Sequence, residues 1–281
     1  MKYLEKAVNV QMQDCNLLGI VSLPAGNVAS KQRALLIVTG GAQYRIGSHR
    51  QFTNMARQLS SVGYPVMRFD MPGMGDSTGQ PLPFEETGPH IAASIEVLMR
   101  ISGVHKVYLW GLCDGASANL IYMHATQDNR IAGLILLNPW MRSDTSLARV
   151  HIKHYYPKRL VKFDFWYKLI SGKIGMKAIR ELINSIRKMF NPISFIEDSI
   201  QRKMAKGWAS FKGPILLLLS ERDLVAQEFK EYSSKDTEWK KIIKKKPANQ
   251  YIIRDADHTC SQLSSHSAMV LQTAVWLESL E

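Results

Sequence analysis

Short, continuous apolar runs alternate with helical segments along most of this chain. The runs at 34–38, 131–137 and 215–219 lack the polar alternation of a half-buried strand, so each is predicted to be a strand buried on both faces. Helical periodicity marks the segments 50–62, 84–101, 226–244 and 262–279. Because strands joined by helices pair in parallel, the chain is predicted to form a mostly parallel α/β sheet with helices on both faces.

A basic segment interrupts this alternation between residues 142 and 207. It holds 15 Lys/Arg and 5 Asp/Glu, a net charge of +10 out of +12 for the whole chain of 281 residues. That length allows one large domain with an insertion, or two domains. We predict an α/β catalytic domain from residues 1–141 and 208–281, with residues 142–207 as a helical cap over the carboxyl ends of the strands.

Clustered positive charge favours anionic partners such as phosphates, acidic glycans or a lipid surface, although a solubilising face has the same composition. No nucleic-acid-binding motif accompanies the charge, so nucleic acid is not a predicted partner. An amphipathic stretch within the basic segment leaves peripheral membrane contact open. The sequence does not determine the oligomeric state.

Cysteine usage and hydropathy indicate the cellular compartment. The sequence has no apolar run of about 18 residues and no apolar region near Met1 that would form a secretory signal. Three cysteines (Cys15, Cys113 and Cys260) are too few for a disulfide framework, so a reducing, cytoplasmic location is predicted. Metal-ligand spacing and phosphate-cradle motifs are missing, and neither a metal nor a cofactor is predicted.

One pentapeptide predicts the position of a nucleophile. The sequence Gly-Leu-Cys-Asp-Gly at 111–115 follows the strand-like run 106–110 and opens a helix of small residues. A tight turn between strand and helix presents its central side chain to solvent, and the flanking glycines let neighbouring backbone pass closely. Serine is usual at the centre. Cys113 keeps the acyl-transfer chemistry and makes a thiol the nucleophile.

A thiol nucleophile needs a base, and the base needs an acid that orients it. Asp223 follows the buried strand 214–219, and His258 follows the strand 251–253. Both therefore lie, like Cys113, after the carboxyl end of a strand. Their order along the chain is nucleophile, acid, histidine, which is the order associated with this type of turn.

Three residues are alternatives for these roles. Glu221 is a rival acid, although it lies closer to the strand end than Asp223. Asp257 is a second rival, but it is adjacent to His258 and would need an awkward geometry to face the ring. His49 lies in a loop at the same edge of the sheet and is the alternative base.

Backbone amides near Cys113 are expected to form an oxyanion hole. Asp114, the residue after the nucleophile, supplies one N–H. The loop 39–43 supplies the other from Gly41, Ala42 or Gln43, and the sequence leaves open which. The carboxylate of Asp114 would oppose ionisation of the thiol, so a permanently charged nucleophile is not predicted.

With these residues in order, the chain resembles the α/β-hydrolases. The stretches 40–52, 110–118 and 136–140 are similar to the exosortase A system-associated hydrolase 1 group, found with bacterial exopolysaccharide and protein-sorting gene clusters. The resemblance covers roughly residues 15–142 and 213–262 and implies an α/β-hydrolase fold and a cytoplasmic hydrolase. With cysteine at the centre of this turn, the chain also resembles dienelactone hydrolases, bile-acid acyltransferases and polyhydroxyalkanoate synthases. These enzymes use different acyl acceptors.

The sequence therefore predicts a cysteine-dependent acyl hydrolase of esters or thioesters. Cys113 attacks the carbonyl, His258 moves the proton, and Asp223 orients the imidazole. The expected substrate is a small or carrier-bound acyl compound, and the basic cap favours an anionic one. An acyltransferase with the same triad and a non-catalytic scaffold of a polysaccharide-export system are the alternatives.

Overall fold

The structure, a computed structural model, describes residues 2–41, 43–141 and 199–281. The strands in these ranges are β1 (Tyr3–Gln11), β2 (Asn16–Pro24), β3 (Arg33–Val38), β4 (Val66–Phe69), β5 (Lys106–Leu112), β6 (Ile131–Leu137), β7 (Ile215–Ser220) and β8 (Asn249–Ile253). They form one sheet in the order β1-β2-β4-β3-β5-β6-β7-β8. β2 is antiparallel to β1 and to β4, and all pairings from β4 to β8 are parallel.

Helices cover both faces of this sheet. They are α1 (Gln51–Ser60), α2 (Gly88–Ser102), α3 (Asp114–Thr126), α4 (Ile200–Ser210), α5 (Leu224–Lys235), α6 (Thr237–Lys245) and α7 (Leu263–Glu278). α1 and α7 pack on one face, and α2 to α6 pack on the other. The prediction of a mostly parallel sheet with helices on both faces is therefore confirmed. None of the helices in the described ranges is both long and apolar enough to cross a bilayer.

The central strands are apolar on both sides because each side faces a layer of helices. Leu35, Leu36, Ile37 and Val38 of β3 are all 0% exposed, although successive side chains of a strand point to opposite faces. Burial of such side chains contributes about 1.5–3 kcal/mol each. The parallel arrangement also brings the carboxyl ends of β3 to β8 to one edge of the sheet, where their loops meet.

Helix α4 belongs to the α/β body. The boundary that we predicted at residue 207 falls inside this helix, and the rest of the predicted cap, 142–198, lies outside the described residues. A Cβ at Gly207 would lie 1.9 Å from the carbonyl oxygen of Leu120 in α3, so the two helices touch through their backbones. Trp208 packs edge-on against Trp239 of α6.

The segment predicted as one helix at 226–244 is two. α5 ends at Lys235, and Asp236 begins α6 by accepting hydrogen bonds from the amides of Glu238 and Trp239. An aspartate with extended backbone is a favourable N-cap, so the chain turns at this residue instead of continuing the first helix.

Candidate active site

Cys113 occupies a strained turn between β5 and α3. Its φ of 56° and ψ of −118° lie outside the regions that a residue with a Cβ ordinarily adopts. Such a conformation costs of order 1–3 kcal/mol and persists only where the surroundings hold it. The Cys113 amide donates to the carbonyl of Leu137 at 2.9 Å, and its carbonyl accepts from the amides of Ser117 and Trp140. Neighbouring strand and loop backbone thus fixes the turn on both sides.

The two glycines of the turn are required by close backbone approach. A Cβ at Gly111 would lie 2.5 Å from the amide nitrogen of Ala116. A Cβ at Gly115 would lie 2.2 Å from the carbonyl oxygen of Val38, at the end of β3. The prediction that glycines allow the neighbouring backbone to pass here is confirmed.

His258 and Asp223 form the hydrogen bond that the sequence analysis anticipated. Nδ1 of His258 lies 2.9 Å from Oδ2 of Asp223, whose side chain is 5% exposed. The same carboxylate accepts from the amides of Val225 and Ala226 as the N-cap of α5. Three hydrogen bonds, two from helix amides and one with the histidine, therefore hold the carboxylate in one orientation toward the imidazole.

Electrostatic coupling links this pair to Cys113. The hydrogen bond with Asp223 is the largest influence on the pKa of His258 and raises it, with burial opposing and Asp114 adding to the increase. Asp223 also contributes to raising the pKa of the Cys113 thiol. The predicted nucleophile, base and acid, together with Asp114, thus share one electrostatic environment at the carboxyl edge of the sheet.

The rival residues have other partners. Glu221 accepts from the amide of Asp255 at 2.8 Å. Asp257 accepts from the amides of Thr259 and Ser261, so its carboxylate closes the turn that follows His258. The hydrogen bond with Ser261 is also the largest influence lowering the pKa of Asp257, and His49 adds to that effect. His49 is therefore close enough to Asp257 to stabilise its charged form.

Burial and Asp114 both oppose ionisation of the Cys113 thiol. Burial is the largest influence raising the pKa of this thiol, and the Asp114 carboxylate raises it further. Sγ–H of Cys113 donates to Oδ1 of Asp114 at 3.4 Å. The Asp114 carboxylate therefore opposes ionisation of the Cys113 thiol, as the sequence analysis expected.

Asp114→Asn should therefore make the thiol more reactive. The substitution removes the repelling charge, and one unit of pKa changes the thiolate fraction about tenfold, so we expect alkylation of Cys113 by iodoacetamide near neutral pH to accelerate about tenfold. The pH at which the alkylation rate rises should also be lower in Asp114→Asn than in the wild type. Asp255→Asn is the matched control, because it removes an exposed carboxylate that pairs with Arg222. Equal profiles for the wild type and Asp114→Asn would show that burial alone suppresses ionisation.

The candidate oxyanion donors lie on two sides of Cys113. Asp114 is the first residue of α3, where backbone N–H groups have no partner within the helix. A Cβ at Gly41 would lie 3.3 Å from Oδ2 of Asp114, so the loop after β3 reaches the same point. The amide of Gln43 donates to the carbonyl of Gly40 and is committed to its own turn. Gly41 and Ala42 remain the loop candidates, and Ala42 lies outside the described residues.

Asn138 supports the histidine loop, a role that the sequence analysis did not assign. Its Nδ2 donates to Oγ of Ser220 at 3.0 Å and to the carbonyl of His258 at 3.2 Å. Its Oδ1 accepts from the amide of Ser220 at 2.8 Å. The residue is fully buried, with a left-handed φ of 47°. One side chain thus joins the ends of β6 and β7 to the loop that carries His258.

Asn138→Ala should lower the free energy of unfolding by about 2–4 kcal/mol. The substitution leaves buried polar groups unpaired, and it places an alanine in a left-handed conformation that alanine adopts less readily than asparagine. Urea unfolding measures this change. Asn129→Ala, at an exposed asparagine, should change stability by less than about 0.5 kcal/mol. A similarly small effect at Asn138 would mean that the loop is held by other contacts.

Two further groups of side chains bear on the cysteine and metal predictions. Cys260 is buried beside Ser220, and burial raises the pKa of its thiol to about 11, as befits an inert cysteine.

Asp14, Cys15 and His90 place three possible metal-binding atoms within 4.8 Å of one another. The sequence analysis missed this group because His90 is distant in the chain from the adjacent Asp14 and Cys15. Burial raises the pKa of the Cys15 thiol, and the neighbouring Asp14 carboxylate raises it further.

Comparison with known families agrees with this geometry. A model of the α/β-hydrolase fold family matches residues 33–172, which include the strained turn at Cys113. The chain has the α/β-hydrolase fold. The match covers β3 to β6 and ends before Asp223 and His258.

Curated relatives match part of this α/β-hydrolase. Lysophosphatidylserine lipase ABHD12 of Gallus gallus is 32% identical over 148 residues, which are 50% of this chain and 36% of that protein. The ABHD12 of Danio rerio is 33% identical over 160 residues, 56% of this chain and 41% of that protein. The chain thus spans well under half the length of these relatives.

Solved structures share the fold. An esterase of Pyrococcus furiosus has a TM-score of 0.63 and 15% identity, over 99% of this chain and 91% of that one. A dienelactone hydrolase of Anabaena variabilis has a TM-score of 0.61 and 13% identity, over 99% of both chains. At such identities the likeness extends to the fold alone.

Proposed function

We propose that this protein is a cysteine-dependent acyl hydrolase of esters or thioesters. The observation that carries the proposal is the strained Cys113 at the carboxyl edge of the sheet, electrostatically coupled to the hydrogen-bonded pair His258–Asp223. A side chain held in a costly conformation, with a base and an acid in its environment, meets the requirements of nucleophilic catalysis.

In the proposed reaction the neutral thiol loses its proton as it attacks. Sγ of Cys113 attacks the acyl carbonyl, and Nε2 of His258 accepts the thiol proton. The amides of Asp114 and of Gly41 or Ala42 stabilise the oxyanion. The carbonyl re-forms, the alcohol or thiol departs with the proton from the imidazolium, and the acyl group stays on Cys113 as a thioester. Water, deprotonated by His258, then releases the acid and restores the thiol.

Asp114 has two proposed roles in this reaction. Its amide faces the oxyanion, while its carboxylate accepts the hydrogen bond of the resting thiol. Attack requires the thiol proton to turn from Asp114 to His258. Because the thiol is protonated until substrate binds, the nucleophile is protected from alkylation and oxidation, which require the thiolate.

The substrate class is the least constrained part of the proposal. The curated relatives are lysophosphatidylserine lipases, which makes acyl esters of lysophospholipids the first compounds to assay. The positive charge of the basic segment 142–207 supports an anionic acyl substrate, beneath a cap that residues 142–198 would form. The resemblance to the exosortase-associated group supports a cytoplasmic enzyme that serves exopolysaccharide or protein-sorting systems.

Product analysis tests the proposal against the acyltransferase alternative. Purified protein is incubated with an activated ester, a thioester and lysophosphatidylserine, each with and without an added alcohol, amine or glycan. A hydrolase releases free acid at a rate that the acceptor does not change. Transfer of most acyl groups to an acceptor would establish the acyltransferase. Absence of any acyl-Cys113 adduct by mass spectrometry, together with absence of product, would favour the scaffold.

A further inference from the structure

Four arginines line a cleft beside β2 and β4, on the face of the sheet that α1 covers. The cleft has a volume of about 420 Å³, and its lining includes Arg45, Arg50, Arg57, Arg68 and Thr53, with Tyr44 at its exposed side. Its charged lining consists of guanidinium groups without a carboxylate. We call it the arginine cleft. It is formed from β4, α1 and the loop between β3 and α1, which sequence analysis could not bring together.

Carboxylates behind the arginine cleft balance only part of its charge. Arg45 pairs with Asp70 and Asp76. Arg57 and Arg68 share the single carboxylate of Glu5, at 2.6 and 2.8 Å.

Arg50 is exposed and has no ion-pair partner within residues 2–41, 43–141 and 199–281. Four arginines against three carboxylates leave a local charge of +1. All three carboxylates lie outside the lining, so the cleft itself presents cations.

Two buried polar atoms in the arginine cleft lack a hydrogen-bond partner among the described residues. They are Nε of Arg68 and Oγ1 of Thr53, and each of these residues is 5% exposed. Buried donors are nearly always paired, because an unpaired one costs about 1–3 kcal/mol. Burial is the largest influence on the pKa of Arg68 and lowers it, Glu5 opposes this, and Arg57 and Arg45 lower it further. An anion in the cleft would offset this repulsion and would offer acceptor oxygens beside both residues.

The walls of the arginine cleft are held in place before any ligand binds. The carbonyl of Ile46 accepts from the amides of Phe52 and Thr53, which ties the loop to the first turn of α1. Arg45 donates through its amide and its guanidinium to the buried Asp70. Since ion pairs already fix Arg45, Arg57 and Arg68, ordering these three side chains would cost little conformational entropy on binding.

We propose that the arginine cleft binds a phosphate-type oxyanion. Guanidinium groups match the geometry of phosphate oxygens and donate several hydrogen bonds each, which a lysine ammonium does not do in fixed directions. The volume exceeds that of a single ion and leaves room for an ester group. Tyr44 follows Gly41 by three residues, so their Cα atoms lie at most ~11 Å apart, and the bound phosphate would lie near the catalytic loop.

Binding is tested without catalysis, so the result does not depend on the proposed hydrolase activity. Inorganic phosphate and glycerol 3-phosphate are titrated into the wild type and into Cys113→Ala by calorimetry, in a low-salt buffer without other oxyanions. We expect a Kd at or below about 1 mM for at least one of them, equal in both proteins. Arg50→Gln should weaken binding about tenfold or more, because hydrogen bonds to charged groups are the stronger class.

Thr53→Val is the more specific test, because it removes a hydroxyl from the cleft without changing its charge. Its hydroxyl has no protein partner in the described ranges, so its removal should leave stability unchanged or raise it, yet weaken phosphate binding about three- to tenfold. Thr273→Val is the matched control, because Thr273 is also fully buried with an unpartnered hydroxyl but lies in α7. Arg100→Gln, at an exposed arginine of α2, controls for the loss of one positive charge. Both controls should bind phosphate as the wild type does.

A second arm identifies the source of the phosphate. Flotation with phosphatidylcholine vesicles, with and without phosphatidic acid, is measured for the same variants. Loss of soluble-phosphate binding in Arg50→Gln and Thr53→Val supports a small phosphate ester. Loss of vesicle binding confined to those variants supports a lipid headgroup. If neither probe binds, or if Arg50→Gln and Arg100→Gln lose affinity equally, the arginine cleft is not a phosphate site and the inference is overturned.

Discussion

Cys113→Ala should reduce hydrolysis of an activated ester by about 10⁴-fold or more while leaving the fold intact. Without the thiol, no acyl-enzyme can form, and the residual rate comes from the oxyanion donors and from binding alone. Alanine keeps the backbone hydrogen bonds of the turn, so circular dichroism and the thermal unfolding midpoint should change little. Initial rates with a thioester and an ester substrate, normalised to folded protein, measure the effect.

Two further variants separate the chemistry from the mere loss of a cysteine. Cys113→Ser should recover part of the activity but remain about 10²-fold below the wild type, because a hydroxyl needs stronger activation by the base than a thiol. Cys15→Ala, at a buried cysteine in the turn between β1 and β2, should hydrolyse the substrates at the wild-type rate. Undiminished turnover by Cys113→Ala would place the chemistry elsewhere in the chain.

The sheet was predictable where burial alone determines a strand. Ala34–Val38 and β6 are buried on both faces, and their unbroken apolar runs record that environment in the sequence. The order of the strands was not predictable in the same way, because β4 lies between β2 and β3 through crossovers that no local pattern encodes. The break between α5 and α6 was missed although Asp236 is a recognisable cap, since the apolar periodicity continues across it.

The site was predictable where position along the chain determines position in space. Asp223 and His258 follow adjacent parallel strands, so the sheet itself brings them to one edge, and the structure shows their hydrogen bond. Asn138 and the arginine cleft were not predictable. Their roles depend on hydrogen bonds and charges between elements distant in sequence, and a lone asparagine or arginine has no pattern that predicts its partners.

Asp223→Asn should lower kcat/KM by about 10³–10⁴-fold with little loss of stability. Asparagine is as good an N-cap as aspartate, so α5 should keep its first turn. The amide, however, can donate to Nδ1 of His258, which leaves the proton on Nε2 and prevents that nitrogen from accepting the thiol proton. Steady-state kinetics and urea unfolding on the same preparation measure the two effects.

The pH dependence gives a second readout for the same variant. In the wild type the hydrogen bond with Asp223 raises the pKa of His258 above the ordinary value of 6.5, so activity should be lost on acidification through a pKa above 6.5. Without the carboxylate, burial dominates and lowers this pKa, so the acid limb of the residual activity should move to lower pH. The raised pKa also contributes stability below pH 6.5 that is lost as the pH rises through the folded value. The stability difference between wild type and Asp223→Asn should therefore narrow as the pH rises.

Asp223→Ala completes the comparison, because it removes the cap together with the acid. Its activity should match that of Asp223→Asn, since both lack the carboxylate, whereas its free energy of unfolding should fall by about 1 kcal/mol more, the usual value of an N-cap. Equal activity with unequal stability would assign Asp223 both tasks, orienting the base and starting α5. If Asp223→Asn instead retained wild-type activity and an unmoved acid limb, His258 would take its orientation from another group, and Asp223 would serve the helix alone.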